Sequence, residues 1–445
     1  MESALALGKL VLIFSLILVL LRFKIELWVA ILIGCLATAA LTGIHPYAWF
    51  GILFHSLTSH DFILLLLLIF LILVMSGVQE ATGQSQKMVR GVGQYLHSPR
   101  LRLVLFPALV GLLPMPGGAL FSCPMVRDSA AGMDLTNKQQ SLINYWFRHI
   151  WELAWPLYPG YVLICVLLDI PLTRLWIYTF PIVIAAFCVG WFFFIRPLPQ
   201  AVVERANTAI DVALDVPLNE KDAKAERESF SAVLLHTLPI AVVLIGAVIF
   251  TIIFDRFLPQ LPGQLAFCAA LAAAAGIALY QGRTERMKPL RQIIATPTMG
   301  RIFLLLAAIY MFKDTIAGGG LAESLSKLGD SGIMLVLTFI LLPFIGGVLT
   351  GMMIGFVGLA FPLLIGVVLY SSLQEYTLPL VVLAMVAGNC GQLFTPLHVC
   401  LVVTAEFFTT TLPELLRSLA LPVLIFGLAG ATWALLLALF GASHV

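Results

Sequence analysis

Three ionisable side chains occur together in an otherwise apolar stretch, residues 145–168: Arg148, His149 and Glu152. A helix that starts near Asn137 rises about 1.5 Å per residue, so Arg148 would lie roughly 15 Å along it, close to the middle of a bilayer. Ionisable groups at that depth are costly and typically mark a binding site or an ion pathway. We therefore expect Arg148 to attract an anionic substrate and Glu152 or His149 to carry a coupling proton. The alternative is a buried ion pair, because Arg148 and Glu152 are four residues apart on one helical face.

A second apolar stretch contains uncharged polar groups clustered around a proline. These groups are Asn389, Gln392, Thr395 and His398, and the proline is Pro396. Because proline lacks a backbone N–H, a helix through Pro396 leaves carbonyl groups near Gln392 without intrahelical donors. We expect these oxygens and side chains to bind substrate or a coupling cation. Hydrogen bonding between helices is the alternative role for such residues in a membrane.

Proline and glycine interrupt the apolar segment 101–126 in the sequence Pro-Met-Pro-Gly-Gly. Prolines end a helix and glycines permit a tight turn, so the segment is predicted to form a re-entrant hairpin, unless it is a plain tight loop. The outgoing helix begins with N–H groups that lack helical partners and with the positive end of its dipole, which favour an anion. The expected substrate contacts are Pro116, Gly117, Gly118 and Ala119.

Glycines also interrupt a second apolar segment, residues 333–369. We expect a second hairpin there, with Thr350 and Gly351 at its tip as substrate contacts. Small residues at this spacing also allow close helix packing in membranes, which is the alternative for the other glycines of the segment.

The overall composition is that of an integral membrane protein. Of the 445 residues 61% are apolar and only 11% are charged, against about a quarter charged in soluble domains. Apolar runs long enough to cross the bilayer recur along the chain, and a backbone in lipid must be helical when it does not close into a barrel. The seven scattered cysteines are interpreted as small core residues. No HExxH or GxSxG motif occurs, so we expect a protein that is not an enzyme, and one that does not bind nucleic acid.

The order of apolar segments repeats in the two halves of the chain. Each half is predicted to have five transmembrane helices and one re-entrant hairpin. The predicted N-terminal repeat is residues 1–195, with scaffold helices in 5–77, the hairpin in 101–126, a broken helix in 145–168 and a last helix in 175–195. After a cytoplasmic linker at 196–230, the C-terminal repeat at 231–445 has scaffold helices in 232–316, the hairpin in 333–369, a broken helix in 378–403 and a last helix in 419–440.

The distribution of basic residues predicts that the two repeats are inverted. Segments 87–102 and 283–301 are rich in Lys and Arg, whereas 45–61 has neither and 318–332 has only Lys327. Basic loops stay in the cytoplasm, so equivalent loops of the two halves are expected on opposite sides. The protein is expected in the inner (cytoplasmic) membrane of the cell. Both chain termini are then expected on the outer side of that membrane.

The layout of hairpins and broken helices resembles the ion-transporter superfamily of elevator-type carriers, and within it a prokaryotic integral-membrane family. The superfamily includes citrate, dicarboxylate and gluconate permeases and the large membrane subunits of TRAP transporters. The resemblance implies a dimeric scaffold, a mobile transport domain, and a substrate site that also includes Trp155. Sodium-coupled dicarboxylate carriers of this superfamily have Ser-Asn-Thr motifs at both hairpin tips. This sequence has neither, which argues against sodium coupling and a dicarboxylate substrate.

The function expected from these features is secondary active transport of a small organic anion, coupled to H⁺ or another cation such as Na⁺, with no resident cofactor or metal. The alternatives are an inorganic-ion carrier such as a sodium/proton antiporter, and a membrane subunit of a binding-protein-dependent transporter. An antiporter is expected to use buried carboxylates near the midplane, where this sequence places only Glu152.

Overall fold

A computed structural model describes residues 2–96, 98–113, 118–198, 230–283, 296–326, 332–369, 371 and 373–440. Within these ranges the chain is helical and has no strands. The helices of the first half are α1 (Glu2–Arg22), α2 (Leu27–Thr42), α3 (Pro46–Thr58), α4 (His60–Ala81), α5 (Gln84–Gln94), α6 (Pro99–Gly111), α7 (Ala119–Ser129), α8 (Asn137–Arg148), α9 (Pro159–Leu168) and α10 (Leu172–Gly190). Those of the second half are α11 (Phe230–Phe257), α12 (Gln264–Gly282), α13 (Pro297–Gly318), α14 (Leu321–Ser326), α15 (Gly332–Thr350), α16 (Met353–Leu369), α17 (Thr377–Leu393), α18 (Val399–Phe407) and α19 (Leu412–Leu439).

The prediction of an all-helical protein with many apolar helices is confirmed. Among the described residues, seven helices are long and apolar enough to cross a membrane. They are His60–Ala81, Leu172–Ile195, Ser231–Phe257, Gln264–Gly282, Gly332–Thr350, Gln374–Leu393 and Leu412–Leu439. Several of these helices expose large apolar side chains, as α11 does at Ile245, Val248 and Ile252, which suits contact with lipid rather than water.

The helices associate in two groups. In the first group, α2 packs on α13 and α4 packs on α12, while α1 and α11 flank α2 and α12. The second group contains α6 to α10 and α15 to α19, with α6 and α7 packed on α8, and α15 and α16 packed on α17. The groups meet where α9 packs on α4 and α16 packs on α13.

Local caps fix where the elements next to the site begin. Thr136 and Gln139 form a reciprocal capping box at the start of α8, which holds the approach to Arg148. Hydroxyl caps occur at matching places in the two halves: Ser59 accepts from the N–H of Phe62 at α4, and Thr296 accepts from Met299 at α13.

Both predicted broken helices are interrupted, but at different lengths. The stretch 145–168 leaves the helix at Arg148 and resumes at Pro159, with irregular turns over 149–158. The stretch 378–403 is interrupted only over 394–398, between α17 and α18. The expectation that Arg148 and Glu152 share one helical face is therefore wrong, because α8 ends at Arg148 and Glu152 lies in the irregular segment.

The two predicted hairpins differ in size. The arms α6 and α7 have 13 and 11 residues and pack together, which suits a segment that reaches partway into the bilayer. The arms α15 and α16 have 19 and 17 residues, and of the two arms α15 is long enough to span a membrane. The second segment is thus longer than a midplane hairpin requires. Most of the predicted linker and of the basic segment 283–301 lies outside the described residues.

The interpretation of all seven cysteines as core residues is wrong for two of them. Cys188 is exposed on α10, and Cys400 is only partly buried near the start of α18. The other five are buried.

Candidate functional site

A cavity of about 190 Å³ lies between the two interrupted helices and the turn that joins α15 to α16. Six of the side chains predicted from sequence to act together line it: Arg148, His149, Glu152, Gly351, Gln392 and His398. Leu113, the last described residue before the first hairpin tip, lines it as well. A larger cavity of about 410 Å³ lies beside α5, α6 and α7, but its basic residues Arg90 and Arg102 are not buried.

The cavity collects the buried ionisable groups of the described chain. Among the described Arg, Lys, His, Asp and Glu side chains, four are buried: Arg148, His149, Glu152 and His398, each 5–6% exposed. All four line this one cavity. Burying charge is costly unless partners or function compensate, so their convergence makes this cavity the candidate functional site.

Glu152 connects the two halves of the chain. Its Oε2 accepts hydrogen bonds from Asn389 Nδ2 at 3.0 Å and from Gln392 Nε2 at 2.6 Å. Both amides are on the last turns of α17, whereas Glu152 follows α8. Gln392 Oε1 is buried without a hydrogen-bond partner among the described residues, so the cavity also offers an acceptor to a bound group.

Two histidines form another wall of the cavity, and Tyr145 packs behind them. The rings of His149 and His398 lie edge to face with centroids 4.6 Å apart. Tyr145 Oη is 3.0 Å from Nδ1 of His398 and 3.2 Å from the carbonyl oxygen of Leu393. Cys400, two residues beyond His398, completes this wall.

The guanidinium of Arg148 packs against Gly118, the first described residue after the predicted tip of the first hairpin. A Cβ atom added at Gly118 would lie 2.5 Å from one terminal nitrogen of Arg148 and 2.8 Å from the other, so a larger residue there would require the guanidinium to shift. Gly118 directly precedes α7, whose first N–H groups have no helical carbonyl partners. Two positive features, a guanidinium and a helix N-terminus, are thereby brought together.

Glycines allow each interrupted helix to lie against the first arm of its own hairpin. A Cβ at Gly111 would collide with the backbone carbonyl of Arg148, and one at Gly347 with that of Gly388. Hydrogen bonds reinforce both contacts. Tyr158 Oη donates to the carbonyl of Gly111 at 2.6 Å, and at the second break Thr395 Oγ1 donates to the carbonyl of Val348.

Several residues predicted to bind substrate donate hydrogen bonds to the backbone or lie outside the cavity lining. Thr395 Oγ1 donates to the carbonyl of Val348 at 2.5 Å, and Thr350 Oγ1 donates to the carbonyl of Gly346 at 2.8 Å. The residues Thr350, Thr395, Trp155, Asn389, Gly118, Ala119 and Pro396 do not line the cavity, although Asn389 reaches it through Glu152 and Gly118 through Arg148. Pro116 and Gly117 lie outside the described residues.

The cavity also includes side chains that sequence reasoning missed, among them Tyr158, Cys400, Met352 and Met353. Met352 and Met353 follow the predicted tip at Gly351, so their position was within reach. A cysteine two residues after a histidine at a helix break was a usable signal for Cys400. Tyr158, a tyrosine in an apolar stretch, gave no such signal.

The chain belongs to the family described as "Protein of unknown function (DUF401)", whose model matches residues 6–437. None of the curated proteins matches the chain at a significant level.

Proposed function

We propose that this member of the DUF401 family is a secondary active transporter of a small organic anion, coupled to protons or another cation, with elevator-type alternating access. The observation that carries the proposal is the cavity between the two interrupted helices that holds the buried side chains of Arg148, Glu152, His149 and His398. Irregular backbone at membrane depth is tolerated where it lines a cavity, and transporters place their sites there.

An anionic substrate suits the Arg148 side of the cavity. A guanidinium offers paired donors that match a carboxylate, and it keeps its charge when buried. The N-terminus of α7 at Gly118 adds favourable N–H groups beside it. A volume of about 190 Å³ suits a compact ligand with a few heavy atoms rather than a large metabolite.

The charge balance of the cavity supplies a coupling mechanism. With Glu152 ionised and both histidines neutral, Arg148 and Glu152 cancel, so a bound anion leaves the buried site with a net negative charge. Protonation of Glu152, or a cation bound at Glu152 and Gln392 Oε1, restores neutrality when the anion is present. Because buried net charge is costly, anion and proton favour each other's binding, which is the condition for symport.

The contact pattern of the helices supports two equivalent repeats, and the distribution of basic residues supports their inversion. If α1, α2 and α4 correspond to α11, α12 and α13, the contact of α2 with α13 has its counterpart in that of α12 with α4. Likewise α6 with α8 corresponds to α15 with α17, and α9 with α16 corresponds to α18 with α7. In this proposal the first helix group is the scaffold of a homodimer, and the second, which holds the cavity, is the transport domain.

The experiment is the thermal stability of the purified protein against small carboxylates, sulfonates and inorganic anions, with and without Na⁺, at two pH values. A ligand at one hundred times its Kd stabilises the fold by about 2.7 kcal/mol. We expect one class of organic anion to raise the melting temperature, more so at the lower pH. Arg148→Ala should abolish this rise, whereas Arg301→Ala, at an exposed ion pair with Glu26, should keep it.

The result that would overturn the proposal is a flat response to every anion. If only Na⁺ or pH then changes the melting temperature, the cavity serves an inorganic-ion carrier instead, with Glu152 and Gln392 as cation ligands.

A further inference from the structure

Three side chains of the cavity are placed as the ligands of a metal ion would be. His149, His398 and Cys400 each offer one ligand atom, and these atoms all lie within 4.8 Å of one another. The three residues come from both interrupted helices: His149 follows α8, and the other two flank the start of α18. No other group of this kind occurs among the described residues.

The hydrogen bonds of both histidines leave one ring nitrogen for a ligand. His149 Nδ1 lies 2.5 Å from the carbonyl oxygen of Tyr145, so Nδ1 carries the proton and donates. His398 Nδ1 faces the carbonyl of Gln392 at 3.3 Å and Tyr145 Oη at 3.0 Å, and a proton on Nδ1 suits both. Nε2 of each ring then holds a lone pair. Metal-binding histidines in proteins are oriented by this kind of donation to a carbonyl.

We propose that His149, His398 and Cys400 bind a soft or borderline transition-metal cation, either Zn²⁺ or a monovalent ion of the Cu⁺ type. Two imidazoles and a thiolate are donors that both ions accept. Ligands at about 2.0–2.3 Å from Zn²⁺ lie under about 4 Å apart, so the cluster closes by roughly 1 Å on binding. The Cys400 thiol proton leaves to solvent as the sulfur–metal bond forms.

The surroundings favour a soft cation and leave it an open position. The thioether side chains of Met352 and Met353 line the same cavity, and thioethers select soft ions. Three protein ligands leave a fourth position for water or an anion in the cavity, as in zinc sites with exchangeable ligands. A bound metal would join the two interrupted helices across the cavity and so hold them in one arrangement.

The test is a titration of chelator-treated full-length protein in detergent with Co²⁺, read by the near-ultraviolet sulfur-to-cobalt charge-transfer band. We expect one equivalent of Co²⁺ to produce the band and Zn²⁺ or Ag⁺ to displace it, the two competitors distinguishing a borderline from a soft monovalent preference. Cys400→Ser should remove the band. Cys390→Ser is the matched control, because Cys390 is buried on α17 and does not line the cavity.

His149→Gln and His398→Gln keep the thiol and give an independent readout. Loss of an outer-shell partner at a metal site weakens metal binding about 10–100-fold. Each of these variants removes a direct ligand and should weaken Co²⁺ binding by at least as much. Absence of the band in the wild type together with no binding of Ag⁺ by calorimetry, or a band that persists in Cys400→Ser, would overturn the metal site. The metal site and the transport proposal can fail separately. If Co²⁺ does not bind, stabilisation of the metal-free protein by an anion still supports transport. If no anion stabilises the protein, Co²⁺ binding still supports the metal site.

Discussion

Replacing Glu152 by glutamine should separate folding from coupling. Asn389 and Gln392 donate to one and the same oxygen, Oε2, at 3.0 and 2.6 Å. The carbonyl oxygen of a glutamine can take that position and accept both bonds, while its NH₂ group faces the cavity. A neutral hydrogen bond contributes about 0.5–1.5 kcal/mol against about 1.5–3 for one to a charged group, and a buried amide costs less to desolvate than a carboxylate. We expect the free energy of unfolding of Glu152→Gln to lie within about 1 kcal/mol of the wild-type value.

Glu152→Ala should behave differently. It removes both bonds, together about 3–6 kcal/mol, and leaves the Asn389 amide without its acceptor. Relief of carboxylate desolvation, and water at Gln392 in the cavity, offset part of this loss. The expected net destabilisation is about 2–4 kcal/mol.

The assay is unfolding of both variants by SDS titration in mixed micelles, with binding of the stabilising anion measured at two pH values. Glu375→Ala, at an exposed carboxylate, should change stability by less than about 0.5 kcal/mol. Anion binding to Glu152→Gln should lose its dependence on pH. If glutamine destabilises the protein as much as alanine, the hydrogen-bond reasoning is wrong. If pH dependence survives, Glu152 is not the coupling group.

Three further predictions follow from the packing and the topology. Gly347→Ala should lower the free energy of unfolding by about 1–3 kcal/mol in the same assay, because the new Cβ meets a backbone carbonyl. Gly276 has open space around it, so Gly276→Ala should be neutral or stabilising. Equal effects of the two substitutions would refute the close contact at Gly347. Thr395→Val should lower the free energy of unfolding by about 1–3 kcal/mol, and Thr395→Ser should retain most of the wild-type stability. Equal stability of the valine variant and the wild type would show that the hydroxyl contributes nothing. Cysteines introduced at the exposed positions Tyr95 and Glu323 should react with an impermeant reagent from opposite sides of the membrane, and reaction from the same side would contradict the inverted repeat.

The sequence was informative wherever physical cost was high. Hydropathy predicted the helical apolar architecture, since few other backbones satisfy their hydrogen bonds in lipid. Arg148, Glu152 and His398 drew attention because ionisable groups inside apolar stretches are expensive, and the structure places all three at one cavity.

The remaining features depended on geometry that composition does not encode. The end of α8 at Arg148 lies in close contact with Gly111, which is distant in sequence. The residue type of Thr395 suggests a polar ligand, but its hydroxyl donates a hydrogen bond to the carbonyl of Val348. Cys400 was interpreted as a core residue because cysteine is common in apolar segments. Its place two residues after His398 was a signal in the sequence, but its closeness to both histidines is seen only in the structure.

Proton movement in reconstituted vesicles tests the central claim most directly. The protein is placed in proteoliposomes that contain a pH-sensitive dye, and an inward gradient of the anion that best stabilises it is applied. The account predicts that the lumen acidifies with the wild type and not with Arg148→Ala or Glu152→Gln. A lumen pH that ignores the anion gradient but follows an imposed Na⁺ gradient would contradict anion transport and identify a cation carrier.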